Sequence, residues 1–465
     1  MAEKFYDKFN QKAQKSKEKS KLRIERKEFN KERDEFFTKK REQQGPKGFN
    51  KASSTQFANS SSKDVVNAQI ISTQNMFDTK GLSPEAVKIL ENFDQIVQSI
   101  RPMNSKQLTK LPHDIRELSH KLTDQRESRR VGYMNATEEL SAYVRYFTWW
   151  NLVRLTRVFS NIPVQAFNLK DEDVCLDIGS GPLTVVTALW LSHPELRNLK
   201  LNVYCMDIAS QTMALGEDIY MSVASQSQPT SPTAPTHWNI IRVKGEIGTP
   251  LRKKARFISC ANMFNELYQK EKSDPEKIAK NQLEQLLSYA DADPSVFIAE
   301  PASPISAHFV SLMRDNLLSK KMNLVSPCCH TKKCPMSGLH ARYGGTAKWC
   351  NFSFSTEDAP KKLLKLSDDA GLPKERASLS FVFANSQSDS SANKEEDFIL
   401  RVASDPIWLP GNRQGFYCCS EKGLILAVNT SHSKITSGQK LVLKTKTDFS
   451  DLLKDKKTGS LILNI

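Results

Sequence analysis

No run of about 18 apolar residues occurs anywhere in this chain, so no segment reads as a membrane-spanning helix. The N-terminus is charged throughout and has no apolar core of the kind a secretory signal carries. It is basic, but its many Glu and Asp residues also argue against a transit peptide. Acids are in deficit over the whole chain: 52 Asp and Glu face 67 Lys and Arg, a net charge of +15 in 465 residues. That balance points to a polyanionic partner, nucleic acid first, with a solvated basic surface as the plainer reading. Nine cysteines are few for so long a chain and favour thiols or metal ligands over a disulfide framework.

The stretch around which the chain is arranged is Val174-Cys175-Leu176-Asp177-Ile178-Gly179-Ser180-Gly181-Pro182. Apolar residues run into an acid, then a glycine turn, then a helical pattern from about Leu183 to His193. This predicts a buried parallel strand, a turn whose glycines let backbone approach a ligand, and a helix. A second strand, Leu201 to Asp207, ends in an acid 26 residues beyond Gly181, placed to take the ribose hydroxyls of an adenosine. Dinucleotide sites show Gly-x-Gly-x-x-Gly, whereas the turn here is Gly-Ser-Gly-Pro-Leu, with Leu183 where a third glycine often stands. The pattern resembles the S-adenosylmethionine (SAM) site of class I methyltransferases. Asp177, Gly179, Gly181 and Asp207 are the candidate cofactor residues; a turn that only stabilises the fold is the alternative.

Composition divides the chain. Residues 1–47 form a basic charged arm, with 16 Lys and Arg against 9 Asp and Glu within residues 1–50. Residues 48–80 read as a flexible linker and 81–165 as a helical domain. Ser83 and Pro84 open a helix whose face holds Leu90, Phe93, Val97 and Ile100. Tyr143, Tyr146, Phe147 and Trp150 lie on a second helix, as core more often than as base-stacking surface. Arg116, Arg126, Arg129 and Arg130 between the helices either touch RNA or form a wet face. Residues 166–386 alternate strand and helix, a mostly parallel sheet, with a cysteine insertion at 326–352. A polar loop from Ala224 to Thr236 reads as mobile. Residues 397–465 carry short strand-like runs, a small β module, barrel-like and lysine-rich. The fold class is therefore α/β: a Rossmann-like class I methyltransferase domain, an N-terminal helical region and a C-terminal β module.

The fourth strand, Phe257 to Ala261, runs into Asn262-Met263-Phe264-Asn265-Glu266, at the edge where such sheets hold ligands. It has neither Asn/Asp-Pro-Pro-aromatic nor a cysteine nucleophile nearby, and Asn265 and Glu266 serve equally as helix caps. No catalytic residue is assigned.

The second informative stretch is Pro327-Cys328-Cys329-His330-Thr331-Lys332-Lys333-Cys334-Pro335, followed by Trp349-Cys350-Asn351 and, much later, Tyr417-Cys418-Cys419. Six cysteines and His330 in polar, turn-rich surroundings look like ligands, and thiolates select zinc or iron–sulfur clusters. The spacing Cys-x5-Cys-x15-Cys, with a last cysteine about 68 residues on, is looser than the tight pairs of zinc ribbons. Zinc on Cys328 or Cys329 with His330 and Cys334 stays open.

Over residues 83–425 the chain resembles the methyltransferase-like assembly factors of the small ribosomal subunit, known from mitochondria and many bacteria. The resemblance rests on Asp177-Ile-Gly-Ser-Gly-Pro, Phe264-Asn265-Glu266-Leu267, Glu300-Pro301, Ser326-Pro327-Cys328 with Cys334-Pro335, and Trp349-Cys350-Asn351-Phe352. It implies a four-cysteine [4Fe-4S] site, binding to small-subunit rRNA during assembly, and a methyltransferase fold that leaves methyl transfer open. Carried over by position, the ligands are Cys328, Cys334, Cys350 and Cys419, the last chosen over Cys418 because Cys-Ser-x-x-Gly ends at Gly423. The chain departs from the family pattern at Cys329, where proline is common, in a longer gap between Cys334 and Cys350, and at Leu183.

The expected function is thus a small-subunit factor in ribosome assembly or translation, monomeric when free, binding rRNA and an iron–sulfur cluster. The alternatives are an active SAM-dependent rRNA or tRNA methyltransferase and a zinc-containing RNA-binding scaffold. The expected compartment is a bacterial cytoplasm, with the mitochondrial matrix as the alternative.

Overall fold

A computed structural model describes residues 68–123, 137–229, 231–267, 274–342, 347–386, 397–431 and 433–465. The charged arm, most of the linker, and Arg126, Arg129 and Arg130 lie outside the described residues. Gln69–Asn75 does not: it is strand β1, where a flexible linker was expected. Its polar sequence hid the strand. What makes it one is pairing, since Thr73 lies opposite Leu441 and the backbone groups of the segment are taken up by a neighbour.

The larger sheet comprises β2 (Val174–Ile178), β3 (Asn202–Asp207), β4 (Asn239–Lys244), β5 (Ala255–Ala261), β6 (Ala290–Glu300), β7 (Asn323–Ser326), β8 (Phe352–Ser355) and β9 (Arg376–Asn385). Its order is β4-β3-β2-β5-β6-β9-β7, with β8 paired to β9. The first five of these run parallel, and β9 is antiparallel to β6 and β7. This is the Rossmann-like class I methyltransferase arrangement. The order reverses between β3 and β5 on either side of β2, so the crevice at the carboxyl end of β2 is the ligand position the topology itself creates. β2 is apolar and buried over most of its length because helices cover both faces of the sheet.

The N-terminal helices have no core of their own. Phe93, Trp149, Trp150 and Phe159 pack in one apolar cluster with Cys175, Val203 and Phe297 of the sheet. The aromatic stripe is therefore largely core: Tyr146 and Trp150 are buried, while Tyr143 and Phe147 are half-buried. Ser83 caps the first helix as expected, accepting from the Ala86 amide. The run expected as one helix through Ile100 breaks at Asn92 into Pro84–Glu91 and Phe93–Ile100. The helix after β3 spans Ser210–Gln226 and takes in the first residues of the loop that read as mobile from Ala224.

The second sheet contains β1, β10 (Asp397–Val402), β11 (Ile407–Leu409), β12 (Arg413–Ser420), β13 (Gly423–Asn429), β14 (Gln439–Lys444) and β15 (Leu461–Asn464). Its order is β1-β14-β10-β12-β13-β15. The two ends of that order meet, since the Ala68 amide donates to the Asn464 carbonyl at 3.1 Å. Closure of this kind removes exposed strand edges and encloses a core of Phe398, Leu400, Phe416, Cys418, Ile425 and Leu441.

Candidate functional site

At the end of β2 the chain turns with Gly179 at φ +69° and Gly181 at φ +49°. Gly179 is required twice over: its φ suits glycine, and a Cβ there would lie 2.9 Å from the Met263 side chain. Leu183 takes φ +55° in the third-glycine position, so the left-handed backbone is kept at some strain. Its side chain is fully buried in the core and leaves the turn clear. A residue that sequence reading missed holds the turn from behind. Gly216, in the helix after β3, packs so closely that a Cβ would come within 2.4 Å of the Pro182 backbone. Only a glycine in mid-helix hinted at it.

The two acids of the turn behave differently. The Asp207 carboxylate accepts from the Gly181 amide at 2.9 Å and the Ala209 amide at 2.8 Å, which fixes it against the glycine turn. Asp177 is buried, accepts from the Ser259 hydroxyl at 2.7 Å, and has its second oxygen without a hydrogen-bond partner among the described residues. Burial pushes the Asp177 carboxyl up to about 7, helped by the Asp207 charge and opposed by the Ser259 hydrogen bond.

At the end of β5, Glu300 of β6 accepts from the Phe264 and Asn265 amides at 2.8 and 3.1 Å and from the Asn265 side chain at 2.9 Å. Asn265 is therefore held by a buried carboxylate that caps its own short helix.

The cysteines come from four places: Cys328 just after β7, Cys334 in the following loop, Cys350 just before β8, and Cys419 on β12 of the other sheet. Cys334 and Cys419 pack together with Met336, and Cys350 against them. Strand alternation separates the late pair. Cys418 points into the β-module core, while Cys419 faces Cys334. Cys419, the residue chosen on the family motif, is thus the one of the pair that packs beside Cys334.

Two buried arginines flank the sulfurs, and nothing in the sequence marked them out from the other basic residues. Arg314 donates from Nε to Cys328 Sγ at 3.3 Å and from Nη2 to the His330 and Lys332 carbonyls at 2.9 and 2.8 Å, and it also pairs with Asp315. Arg401 donates to the Pro327 carbonyl at 2.7 Å and the Gly438 carbonyl at 2.9 Å. Burial opposes ionisation of Cys328, and the Arg314 guanidinium favours its thiolate. Burial likewise opposes the Arg401 charge, which Cys329, Cys328, Cys419 and Cys350 support. His330 Nε2 lies 3.0 Å from Cys419 Sγ, and Cys329 donates to the Cys419 carbonyl at 3.5 Å. Among the described residues the only three potential metal ligands whose donor atoms all lie within 4.8 Å of one another are His113, Asp114 and Glu117, on the surface far along the chain. The cysteine sulfurs are more widely spread.

Comparison with known proteins adds a family. The sequence model of a family described as "Mitochondrial small ribosomal subunit Rsm22" matches residues 138–433. No curated protein matches. Solved structures that match include a precorrin-6y C5,15-methyltransferase from Geobacter metallireducens, at 10% identity and TM-score 0.27 over 50% of this chain and 86% of that one. A SAM-dependent methyltransferase from Thiobacillus denitrificans, solved with S-adenosyl-L-homocysteine, matches at 13% identity and TM-score 0.22 over 39% and 55%. The fold assignment rests on the strand order described above.

Proposed function

The chain belongs to the mitochondrial small ribosomal subunit Rsm22 family, and from that premise we propose that it is a methyltransferase-like factor of the small ribosomal subunit that binds rRNA and holds a four-cysteine iron–sulfur cluster. The carrying observation is the meeting of Cys328, Cys334, Cys350 and Cys419 from four segments beside two buried arginines. Thiolates in a buried place need positive charge, and Arg314 and Arg401 supply it.

The donor set fits the group. Four soft sulfur donors suit iron–sulfur or zinc. The loose spacing Cys-x5-Cys-x15-Cys, unlike the tight pairs of zinc ribbons, supports the iron–sulfur reading, with zinc as the alternative. Four protein thiolates leave a cluster no open position, so its contribution is to staple β12 of the small sheet to the loops after β7 and before β8. Arg314 positions the loop from Cys328 to Cys334 through its hydrogen bonds.

SAM, when bound, supplies a transferable methyl group. The glycine turn suits its methionine end, and Asp207 is held where it can take the ribose hydroxyls. With Asn265 occupied by Glu300, no methyl acceptor base is assigned, and the proposed role is binding and assembly. The family's description favours the mitochondrial matrix over a bacterial cytoplasm for this chain.

Binding to small-subunit rRNA, measured across salt concentrations, tests the proposal. A steep loss of affinity with salt is expected from a chain of this charge. Equal, weak binding to any RNA at all salt concentrations would overturn it.

A further inference from the structure

Arg154 and Lys374 are two cations that no carboxylate among the described residues answers. Tyr146, Trp150 and Arg154 recur every four residues along one continuous helical run, Tyr143–Thr148 leading into Trp149–Ser160, and therefore share a face. Lys374, from the turn after the helix Lys361–Asp369, lies across that face with its Nζ 5.4 Å from the centre of the Trp150 ring. Trp150 is itself fixed, donating from Nε1 to the Ser367 hydroxyl at 3.2 Å. Arg154 donates from Nη1 to Asn151 Oδ1 at 2.7 Å, and its Nε, out of contact with solvent, has no hydrogen-bond partner among the described residues. Both side chains are half-buried.

The neighbouring arginine shows what is missing. Arg157, one turn further on, pairs with Asp358 at 2.8 Å and lies over the Phe354 ring. Among the described residues Arg154 has no such acid. The charge acting on Lys374 among these residues is that of Arg154, and the group acting on Arg154 is the Tyr146 phenol. Burial, then the Arg154 charge, pulls Lys374 down to about 8; burial pulls Arg154 down to about 10. A lysine can shed its proton in such a place, but an arginine keeps its charge. An anion seated between them would turn mutual repulsion into attraction.

We propose that Arg154 and Lys374, set over the Tyr146–Trp150 face, form a binding site for a phosphoryl anion. The planar guanidinium presents paired donors that match two phosphoryl oxygens, and the lysine supplies a point charge to the same group. A phosphate has oxygens enough for both cations at once. The site is separate from the glycine turn and the cysteines and does not depend on either being filled. The phosphate comes either from an RNA backbone or from a free phosphate ester.

The full-length protein is titrated with inorganic phosphate at constant ionic strength in chloride, followed by calorimetry and thermal unfolding. Phosphate is expected to raise the melting temperature above that in chloride. Arg154→Gln and Lys374→Gln should each weaken phosphate binding by about tenfold or more, the scale of one charge-assisted contact, while Arg154→Lys, which keeps the charge and loses the paired donors, recovers only part of it. Equal phosphate binding by the wild type and both Gln variants would overturn the site, as would no phosphate effect on the wild type together with unchanged rRNA binding by the variants. The source is read from rRNA binding by the same variants. Weaker binding with a salt slope lowered by about 1 per cation identifies the RNA backbone; unchanged rRNA binding with lost phosphate binding identifies a free ester. Failure of the wild type to bind rRNA would remove the function proposed above and leave the phosphate titration able to decide this one.

Discussion

The glycine turn and the cysteine seam lie in one molecule and are built on opposite plans. At the turn most polar groups are met by the chain: Asp207 is bonded to Gly181 and Ala209, Glu300 to Phe264 and Asn265, and Gly216 presses on Pro182, while one Asp177 oxygen has no partner among the described residues. At the seam the Arg314 Nε donor and the His330 Nε2 atom face sulfur, and the sulfurs come from the loops at Cys328, Cys334 and Cys350 and from strand β12 at Cys419. The seam brings cysteines of the two sheets together, and it is there that the proposed cluster would sit.

If that contrast is right, the largest effect belongs to the seam. Protein purified without oxygen should hold about four irons and four sulfides per chain, with absorbance near roughly 400 nm. Cys334→Ser should lose them together with on the order of 5 kcal/mol of stability, a cautious figure beside the ~10–16 kcal/mol of a structural metal. Zinc in place of iron would keep the contrast and change the metal. No metal, with unaltered stability in Cys334→Ser, would break it.

The next effect is at the turn and depends on pH. The Asp177 carboxyl keeps its proton up to about pH 7 in the folded chain but ionises near 3.8 when unfolded. Folding therefore takes up a proton between these values, and stability falls as pH rises from about 4 to about 7, then levels off. The total is on the order of 4 kcal/mol as an upper bound. Asp177→Asn should flatten this dependence in urea titrations at pH 4.5, 6 and 8. A pH profile identical to wild type would show that Asp177 is ionised in the fold.

Gly216→Ala comes third. Its methyl would meet Pro182 backbone, and backbone cannot swing aside, so we expect a loss of roughly 2–3 kcal/mol instead of the gain alanine normally brings to a helix. A stabilised variant would mean that the helix and turn can separate. An effect of similar size is that of the cofactor itself. SAM at a hundredfold excess over its Kd should add about 2.7 kcal/mol, and Asp207→Ala should remove most of that gain. No shift with SAM, alongside a loaded cluster, would leave the turn as scaffold and sharpen the contrast further.

Much of this architecture is legible in the chain. The run from Val174 to Gly181 reads as strand and turn because parallel strands are apolar throughout and tight turns need glycine. The five strand-like runs after Phe398 are all strands in the fold, since alternation is a local signal. β1 escaped because its residues are polar, and pairing with β14, more than 360 positions away, makes it a strand.

The candidate residues divide along the same line. Asp177, Asp207 and the cysteine types are chemical facts of the sequence, available to any reader who knows what thiols and carboxylates do. That Cys419 faces Cys334 while Cys418 does not follows from which side of β12 meets the neighbouring loops. That Arg314 and Arg401, among 67 basic residues, serve the sulfurs follows from packing, as does the absence, among the described residues, of an acid beside Arg154 and Lys374. Local chemistry depends on residue identity and near neighbours, which order along the chain preserves. Which charges share a low-dielectric space depends on contacts between segments far apart in sequence, and these exist once the chain has folded.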